Sequence, residues 1–329
     1  MTDVARLAGV SHQTVSRVLN GHPNVKEQTR LRVRAAITEL GYRPNTAARA
    51  LATGRSRVIG VVAQNSTLYG PAATLDAITQ AAISRDFTLS VVIIRKFTHH
   101  AVTSAVNLHL DQRVAGLVMI APVEVAAEAL DDLTTEVPLV TIDGDPQRAA
   151  RLVSVDQEAG GYLATRHLLD AGHRTVWHVC GPAGWYDSMG RIAGWRRALA
   201  EAGAEIPPLL TADWSAASGY RVGQMLARMT EVTAVFTAND HLALGVLRAL
   251  NERGRRVPGD LSLVGFDDVP EAEFYTPPLT TIRPDFESIA TASMDMLMEQ
   301  ITSGQQHTER KIIQPTLIAR GSVGPPPGS

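Results

Sequence analysis

The stretch that decides the fold of the N-terminal part of this chain is AGVSHQTVSRVLNG, residues 8–21. A first helix is indicated directly upstream of this stretch, because apolar residues recur at the i, i+3, i+4 spacing of one helical face: Val4, Leu7 and Ala8. Gly9 then marks a turn, and Ser11 is placed to cap a second helix. The inner stripe of that second helix consists of Val15, Val18 and Leu19. The pattern predicts two short helices joined by a Gly-Val-Ser turn.

The outer face of the second predicted helix is polar. It consists of His12, Gln13, Ser16 and Arg17. A third helix is predicted from Glu27 to Leu40, and Gly41 with Pro44 marks its end. Together these features indicate a helix-turn-helix, whose second helix can lie in the major groove of DNA.

The charge distribution agrees with this interpretation. Residues 1–57 contain ten Lys or Arg against three acidic residues, and the rest of the chain contains 21 basic and 30 acidic residues. A basic head on an acidic body is the charge pattern of a nucleic-acid-binding module joined to a part with another role. The alternative is a merely solvated basic surface, and the helix pattern within the head favours DNA binding.

Length and composition exclude several classes of protein. The 329 residues are 45% hydrophobic and 19% charged, with a mean hydropathy of -0.01, which is typical of a globular chain with two or three domains. Its single cysteine, Cys180, cannot form an internal disulfide. The N-terminus lacks a signal-peptide pattern, and no apolar run approaches the roughly 20 residues that span a bilayer. We therefore expect a cytoplasmic protein without a membrane partner.

From Val58 onward, strand-sized apolar runs alternate with helical patterns, as in stacked βαβ units. The predicted strands are Val58 to Ala63, Thr88 to Ile94, Val114 to Ile120, Leu139 to Ile142, Leu152 to Val155, Thr175 to Val179, Ala234 to Thr237 and Leu261 to Gly265. The helix candidates include Ala72 to Arg85, Ala159 to Ala171, Ile192 to Ala202, Ala216 to Met229 and His241 to Glu252. The fold class is therefore α/β, with two parallel-sheet lobes and a ligand crevice at the carboxyl ends of the strands.

Several short runs at fixed spacings carry a resemblance to a known family. They are Asp3-Val4-Ala5, Ala8-Gly9-Val10-Ser11, residues 13–21 (QTVSRVLNG) and residues 40–45 (LGYRPN). The head thereby resembles the DNA-binding head of the LacI/GalR repressor family. The resemblance implies operator contacts by His12, Gln13, Ser16, Arg17 and Asn45. Its base-reading positions, His12, Gln13 and Arg17, fit that role, because Gln can pair with adenine and Arg with guanine in the major groove.

The alanine-rich segment that follows the head is too short to form a stable helix alone. In the resembling family this segment is a hinge helix that forms when two copies pair on DNA, and one leucine wedges into the minor groove. Leu51 holds that position. A plain linker with Leu51 packed on the body is the alternative.

The body of the chain also resembles the effector-binding core of this family, which is similar to periplasmic sugar-binding proteins. The likeness is greatest to the lactose-repressor branch, through residues 213–216 (DWSA), 238–245 (ANDHLALG), 265–268 (GFDD) and 278–282 (PLTTI). It implies an effector site formed by Leu68, Gly70, Pro71, Asp143, Arg191, Trp214, Asn239, Asp267 and Phe286. A mixture of Arg, carboxylates, an amide and aromatic rings suits a polyhydroxylated ligand, whose hydroxyls need partners while its CH face needs apolar cover.

Three positions depart from the pattern of that branch: Ile120, Val155 and Pro284 stand where it has Asn, Phe and Gln. We therefore expect a small sugar or glycoside that differs from the lactose-derived inducer. Taken alone, Trp214 is better explained as a core residue than as a wall of the ligand site.

Other chemistries find weaker support. Asp267 and Asp268 are expected on one strand, where adjacent side chains point to opposite faces and cannot flank a glycosidic bond. The histidines lack the spaced partners of a zinc site, and no phosphate-binding or dinucleotide-binding loop appears, so we expect no metal, no cofactor and no enzyme activity. A sugar receptor or a sugar-processing enzyme remains the alternative of another class, and a corepressor-dependent repressor the alternative of the same fold.

The predicted organisation has four parts. They are a helix-turn-helix DNA-binding domain over 1–43, a hinge helix and linker over 44–57, a two-lobed effector-binding and dimerisation core over 58–320, and a flexible tail over 321–329. The strand-like run from Lys311 to Ala319 leads into a tail whose prolines and glycines disfavour helix, so no tetramerising coiled coil is expected. We expect a homodimer that binds a palindromic operator in double-stranded DNA and is released by the sugar.

Overall fold

The computed structural model describes residues 1–19, 22–42, 56–64, 68–126, 137–145, 147–304 and 308–328. The chain divides into two compact units, Met1–Ser56 and Arg57–Ser329. Asn45, Leu51 and nearly all of the predicted hinge segment lie outside the described residues.

The first unit contains the three predicted helices. They are α1 (Thr2–Leu7), α2 (His12–Leu19) and α3 (Glu27–Glu39). Their apolar faces meet in a small core that includes the fully buried Val4, Val15 and Val33. The hydroxyl of Ser11 accepts a hydrogen bond from the backbone N–H of Thr14 at 3.2 Å, as a helix N-cap does.

The second unit has two lobes, each built on a six-stranded sheet within the described residues. In lobe 1 the order is β2-β1-β3-β4-β5-β11 and all strands are parallel. Its strands are β1 (Val58–Gln64), β2 (Thr88–Ile94), β3 (Gly116–Ile120), β4 (Leu139–Ile142), β5 (Arg151–Val155) and β11 (Glu309–Ile313). Its helices are α4 (Tyr69–Ile83), α5 (His99–Asp111) and α10 (Phe286–Ser303).

Lobe 2 has the order β7-β6-β8-β9-β10-β12, and its last strand runs antiparallel to β10. Its strands are β6 (Trp177–Cys180), β7 (Leu210–Thr211), β8 (Ala234–Thr237), β9 (Ser262–Phe266), β10 (Thr280–Arg283) and β12 (Thr316–Ile318). Its helices are α6 (Gln157–Asp170), α7 (Tyr186–Glu201), α8 (Ala216–Leu226) and α9 (Asp240–Glu252), with a 3-10 turn at Pro270–Phe274. The predicted α/β class with two parallel-sheet lobes is confirmed.

Each lobe buries apolar side chains on both faces of its sheet, as a doubly wound α/β layer requires. In lobe 1, the helices α4 and α10 cover one face and α5 covers the other. In lobe 2, the pair α6 and α7 covers one face and the pair α8 and α9 covers the other.

The helices α6 and α7 pack with their backbones in close approach. A Cβ atom at Gly161 would lie 2.3 Å from the carbonyl oxygen of Arg191, and one at Gly194 would lie 2.0 Å from that of Glu158. Both contacts are too short for any side chain, so glycine is required at each position for this approach.

The C-terminal region differs from the sequence-based expectations in two details. The strand-like run from Lys311 to Ala319 is interrupted at Pro315, which lacks a backbone donor, and its two halves join different lobes as β11 and β12. The expected flexible tail is held against lobe 2 over residues 321–328. The buried Ser322 hydroxyl donates to the carbonyl of Leu263 at 2.6 Å and accepts from the N–H of Thr280 at 2.8 Å.

Candidate ligand cleft and DNA-binding face

The nine predicted effector residues line one cleft between the two lobes of the second unit. The cleft contains about 530 Å³ of space between protein atoms, part of it open to solvent. The residues follow the carboxyl ends of parallel strands or begin the next helix, because strands of one sheet direct their following loops to the same edge. The structure thus brings together the residues that the family resemblance selected; whether they bind an effector stays a prediction.

Among the described residues that line the cleft, Arg191 alone carries a positive charge, and it is only 4% exposed. It lies in α7, where its Nε donates to Oε1 of Gln157 at 2.9 Å and its Nη1 donates to the carbonyl of Ala238. Its guanidinium stacks on the ring of Phe266, 3.5 Å from the centroid, a favourable cation–π contact at a desolvated site. These contacts hold the guanidinium in place, and its other N–H donors are available to a ligand in the cleft.

Three carboxylates surround Arg191 in the cleft: Asp143, Asp187 and Asp267. The Nη2 atom of Arg191 lies 3.8 Å from Oδ1 of Asp267 and 4.0 Å from Oδ2 of Asp187, beyond hydrogen-bond distance. Burial raises the pKa of Asp267 to about 7, although Arg191 opposes this shift. Burial, and then the charge of Asp187, raises the pKa of Asp143 to about 8. Burial also raises the pKa of Asp187.

Several cleft residues hold left-handed backbone conformations. The φ angle is 54° at Asp143, 71° at Trp214 and 104° at Asp267. Non-glycine residues rarely adopt such values, and strained conformations of this kind cluster at functional sites. Here the left-handed residues follow the strand ends, and all three line the cleft.

Asn239 has a structural role that the sequence did not reveal. Its Oδ1 caps α9 by accepting from the N–H of Leu242 at 2.8 Å, and its Nδ2 donates to the carbonyl of Trp214 at 3.1 Å. Trp214 is 5% exposed and packs in the lobe 2 core, as the alternative interpretation expected, yet it also lines the cleft. Its Nε1 has no partner among the described residues, so this buried donor is free for a ligand.

The lobe 1 side of the cleft is apolar except for Asp143. Leu68, Gly70 and Pro71 begin α4, and Phe286 begins α10, where its ring packs edge-on against Tyr69 at 6.0 Å. Ile120 and Val155 end strands of lobe 1 and lie on the same side, while Pro284 follows β10 of lobe 2; all three line the cleft and depart from the pattern of the lactose-repressor branch. This wall offers cover for an apolar ligand surface.

Four cleft residues were missed in the sequence: Pro122, Gln157, Trp185 and Asp187. Asp187 lies four residues before Arg191, the spacing that places two side chains on one helical face, and this signal could have identified it. Gln157 is the first residue of α6, directly after β5 and its capping residue Asp156. Position at a strand end was therefore the available signal for Gln157.

The expectation that Asp267 and Asp268 share a strand was wrong. The strand β9 ends at Phe266, and both aspartates follow it with positive φ angles. Asp267 faces the cleft, whereas Asp268 pairs with Arg320 at 2.7 Å and with Arg283 at 2.5 Å. Asp268 is thus neutralised by two arginines and is no partner for acid–base chemistry with Asp267.

The polar face of α2 lies on the surface of the first unit. His12, Gln13 and Arg17 are exposed and Ser16 is half-buried, while Val15 and Val18 are buried on the opposite side. Nε2 of His12 lies 3.0 Å from the hydroxyl of Thr2, which orients the imidazole. The structure therefore presents the predicted base-reading side chains together on one helix face, and contact with DNA stays a prediction.

Two kinds of feature are absent from the described residues, a cluster of metal ligands and a membrane-spanning helix. No three His, Cys, Asp or Glu side chains come together in a way that could hold a metal ion. None of the helices has the length and apolarity needed to traverse a lipid bilayer. His109 and His178 are buried core residues whose ring nitrogens contact the carbonyls of Val61 and Phe236, at 3.2 and 3.0 Å.

Two stretches of the sequence match known protein families. Residues 1–45 match the bacterial regulatory proteins of the lacI family, and residues 165–323 match a periplasmic binding protein-like domain. The lactose operon repressor of Escherichia coli (strain K12) is 36% identical over 97% of this chain and 89% of its own length. The transcriptional repressor PurR of Haemophilus influenzae is 33% identical over 98% of this chain and 97% of its own length.

Solved structures give the same result. The Lac repressor dimer bound to operator and the anti-inducer ONPF has a TM-score of 0.90 and 35% identity, with 98% of each chain covered. The transcriptional regulator CelR in complex with cellobiose has a TM-score of 0.73 and 30% identity, with 97% of this chain and 98% of that chain covered. With both units matched over nearly their full length, the chain belongs to the LacI family and is a DNA-binding transcriptional repressor with a ligand-binding domain, not an enzyme.

Proposed function

We propose that this repressor responds to a small carbohydrate, which releases a dimer of the protein from a palindromic operator. The observation that carries the proposal is the cleft. It combines a buried arginine that has N–H donors available to a ligand, three carboxyl groups, an unpaired indole N–H and an apolar wall.

These groups match the surface of a sugar. Each buried hydroxyl of a ligand needs a hydrogen-bond partner, which the carboxylates and Arg191 offer, while the CH face of a pyranose needs apolar cover. Trp185 and Trp214 lie edge to face with centroids 5.6 Å apart and offer such cover. Two of the similar proteins also point to sugars: the lactose operon repressor by its name, and CelR by its structure in complex with cellobiose.

The mechanism we propose is differential binding of the effector to two arrangements of the lobes. Asp143 belongs to lobe 1 and Arg191 to lobe 2, so a ligand that contacts both favours the arrangement that brings them together. Reversing a 1:99 ratio between the two arrangements requires a difference in binding free energy of about 5.5 kcal/mol. A corepressor would act through the same contacts with the opposite sign.

A dimer is supported by exposed apolar side chains on both lobes. Val91 and Ile93 are 41% and 53% exposed on β2, an edge strand, and Leu244 is 41% exposed on α9. Unpaired edge strands and contiguous apolar surface are usually covered in solution. A symmetric pair of chains would also match a two-fold repeat in the operator.

The proposal is tested by selecting the preferred duplex from a random DNA pool and measuring its binding to the full chain by fluorescence anisotropy, with and without mono- and disaccharides. We expect at least one sugar to release the DNA. A sugar that instead tightens DNA binding would identify a corepressor, and enrichment of asymmetric sites by a monomeric chain in sedimentation equilibrium would contradict the dimer. Leu244→Asp should shift the sedimentation result toward monomer, while the exposed-site control Arg248→Asp should shift it less.

A further inference from the structure

The cleft buries three carboxyl groups beside its single arginine. Asp143 directly follows β4 of lobe 1, whereas Asp187 lies in the first turn of α7 and Asp267 follows β9 in lobe 2. The side chains of Asp187 and Asp267 are only 18% and 9% exposed. Carboxyl groups so buried ionise readily only beside a positively charged partner, because transfer of an unpaired charge out of water is costly.

The protein supplies few of these partners. Arg191 directs its hydrogen bonds to Gln157 and to the carbonyl of Ala238, and it approaches Asp187 and Asp267 no closer than 4.0 and 3.8 Å. Oδ1 of Asp187 is buried and has no hydrogen-bond partner among the described residues. Asp143 accepts one hydrogen bond, from the N–H of Val155 at 3.3 Å. Burial is the main cause of the raised pKa of Asp143, and the charge of Asp187 is the second. The two carboxyls therefore interact electrostatically, although they belong to different lobes.

This arrangement discriminates among ligand chemistries. An anionic ligand such as a sugar phosphate would oppose the ionisation of three buried carboxyl groups and would find one partly engaged arginine. A neutral hydroxyl can donate one hydrogen bond but does not favour the ionised form of a carboxyl. A protonated amine donates three hydrogen bonds and favours ionised carboxylates beside it, and charge-assisted bonds of this kind are the strong ones.

Two neighbouring features fit the same ligand. The indole rings of Trp185 and Trp214 line the cleft, and aromatic faces attract cations. The unpaired Nε1 of the nearly buried Trp214 needs an acceptor, which a hydroxyl oxygen of the same ligand can supply. The ligand that satisfies the cleft is therefore both hydroxylated and cationic.

We propose that the effector is an amino sugar or an amine-bearing glycoside, whose ammonium group is held between Asp143 of lobe 1 and Asp187 of lobe 2. This inference rests on the carbohydrate effector proposed above and specifies its class. Because the two carboxyls come from opposite lobes, an ammonium that pairs with both in their ionised form favours the arrangement that brings them together. The amine thereby couples ligand binding to the arrangement of the lobes.

The test uses sugars matched in shape and different in charge. Cellobiose, fully deacetylated chitobiose and N,N′-diacetylchitobiose share one linkage, as glucose, glucosamine and N-acetylglucosamine share one ring. Binding to the full chain is measured by isothermal titration calorimetry at about pH 7.5, close to the pKa values of about 8 and about 7 to which burial raises Asp143 and Asp267. At this pH the carboxyls can ionise beside an ammonium at little cost, and amines with a pKa above about 8 are still largely protonated. We expect the amine of at least one set to bind roughly 10- to 100-fold tighter than its hydroxyl and acetylated counterparts, the range of one hydrogen bond between charged groups.

Asp187→Asn keeps the shape of the side chain and removes its charge. In this variant the ratio of the amine's affinity to that of the neutral sugar should fall at least tenfold, whatever the change in affinity for the neutral sugar itself. Glu205→Gln, which removes an exposed carboxylate outside the cleft, serves as the matched control and should retain the preference.

Each other outcome has a definite meaning. If neutral sugars bind as tightly as their amines, the amine proposal is wrong and the carbohydrate effector stands. If the preference for the amine survives in Asp187→Asn, the pairing with Asp187 is wrong. If no member of either set binds or alters operator affinity, the amine proposal is contradicted, and the carbohydrate effector is decided separately by the mono- and disaccharide panel described above.

Discussion

Replacement of Arg191 by methionine should separate effector binding from DNA binding. The guanidinium has five N–H donors, and its hydrogen bonds to Gln157 and to the carbonyl of Ala238 use two of them. If two of the remaining three bind the effector at about 1.5–3 kcal/mol each, their loss costs about 3–6 kcal/mol. This corresponds to a loss of affinity of roughly 10²- to 10⁴-fold.

The effect of the same substitution on folding should be much smaller. Methionine retains most of the length of the side chain and its contact with Phe266, while the cation–π contact and the two internal hydrogen bonds are lost. Removal of the buried charge also removes its own desolvation cost, and the neighbouring carboxyls of Asp143 and Asp267, whose pKa values burial raises, can remain protonated instead of being left as unpaired charges. We expect the free energy of unfolding to fall by no more than about 3 kcal/mol and operator affinity to stay within a factor of about two, well under one hydrogen bond.

The assay is calorimetry with the effector, together with anisotropy of labelled operator in its presence and absence. Arg197→Met is the matched control, because Arg197 lies on the same helix, is 45% exposed and pairs with Glu158 outside the cleft. An effector affinity in Arg191→Met that equals that of Arg197→Met would refute the role of Arg191 as a ligand contact. Loss of operator binding by a misfolded variant would show that its role is structural.

Three more predictions concern the head, the pH dependence and the C-terminal segment. Gln13→Ala and Arg17→Ala should each weaken operator binding by about 1–3 kcal/mol and leave random-sequence DNA almost unaffected, because base contacts specify and phosphate contacts position; equal losses on both DNAs in anisotropy would contradict base reading. In the folded state the pKa values of Asp143 and Asp267 are raised from 3.8 to about 8 and about 7. The folded state therefore binds more protons than the unfolded state between about pH 4 and 8. The free energy of unfolding of the free protein should fall as pH rises through that window. Calorimetric unfolding from pH 5 to 8 should show this slope, and Asp267→Asn should flatten it; an unchanged slope in the variant would assign it to other groups. Ser322→Ala should lower the free energy of unfolding by about 1–3 kcal/mol, because it leaves the buried carbonyl of Leu263 and N–H of Thr280 unpaired; urea titration beside the exposed control Ser104→Ala measures this, and equal midpoints for the two variants would contradict it.

The sequence predicted strands better than it predicted where helices begin. The strands Thr88–Ile94, Leu139–Ile142 and Ala234–Thr237 have the predicted bounds, because short runs of β-branched and aliphatic residues between turns have few alternatives. The helix α7 begins at Tyr186, six residues before its predicted start, since the polar first turns that hold Asp187 and Arg191 carry no apolar stripe. The helices α5 and α10 were not among the helix candidates, and α10 is rich in Ser, Thr and Met, which blur the apolar period.

The cleft could be predicted from family resemblance but not from local pattern. The positions of Arg191, Asp143 and Asp267 followed from the motifs around them, and the structure places them together. The left-handed backbone that turns Asp267 into the cleft depends on the packing of β9 and β10, which a local pattern does not encode. For the same reason, the use of Asn239 as a helix cap and the contacts of the tail with lobe 2 appeared only in three dimensions.

The glycine contacts between α6 and α7 have a consequence for how effector selectivity can change. Gln157 and Arg191 lie on two helices whose backbones are in contact at Gly161 and Gly194. The position of the guanidinium in the cleft therefore depends on a helix spacing that leaves no room for a larger side chain. Any side chain at Gly161 pushes against the carbonyl of Arg191 itself. Mutations hidden behind the cleft can therefore redirect its central cation, and new ligand preferences can arise in this repressor without alteration of any residue that the ligand touches.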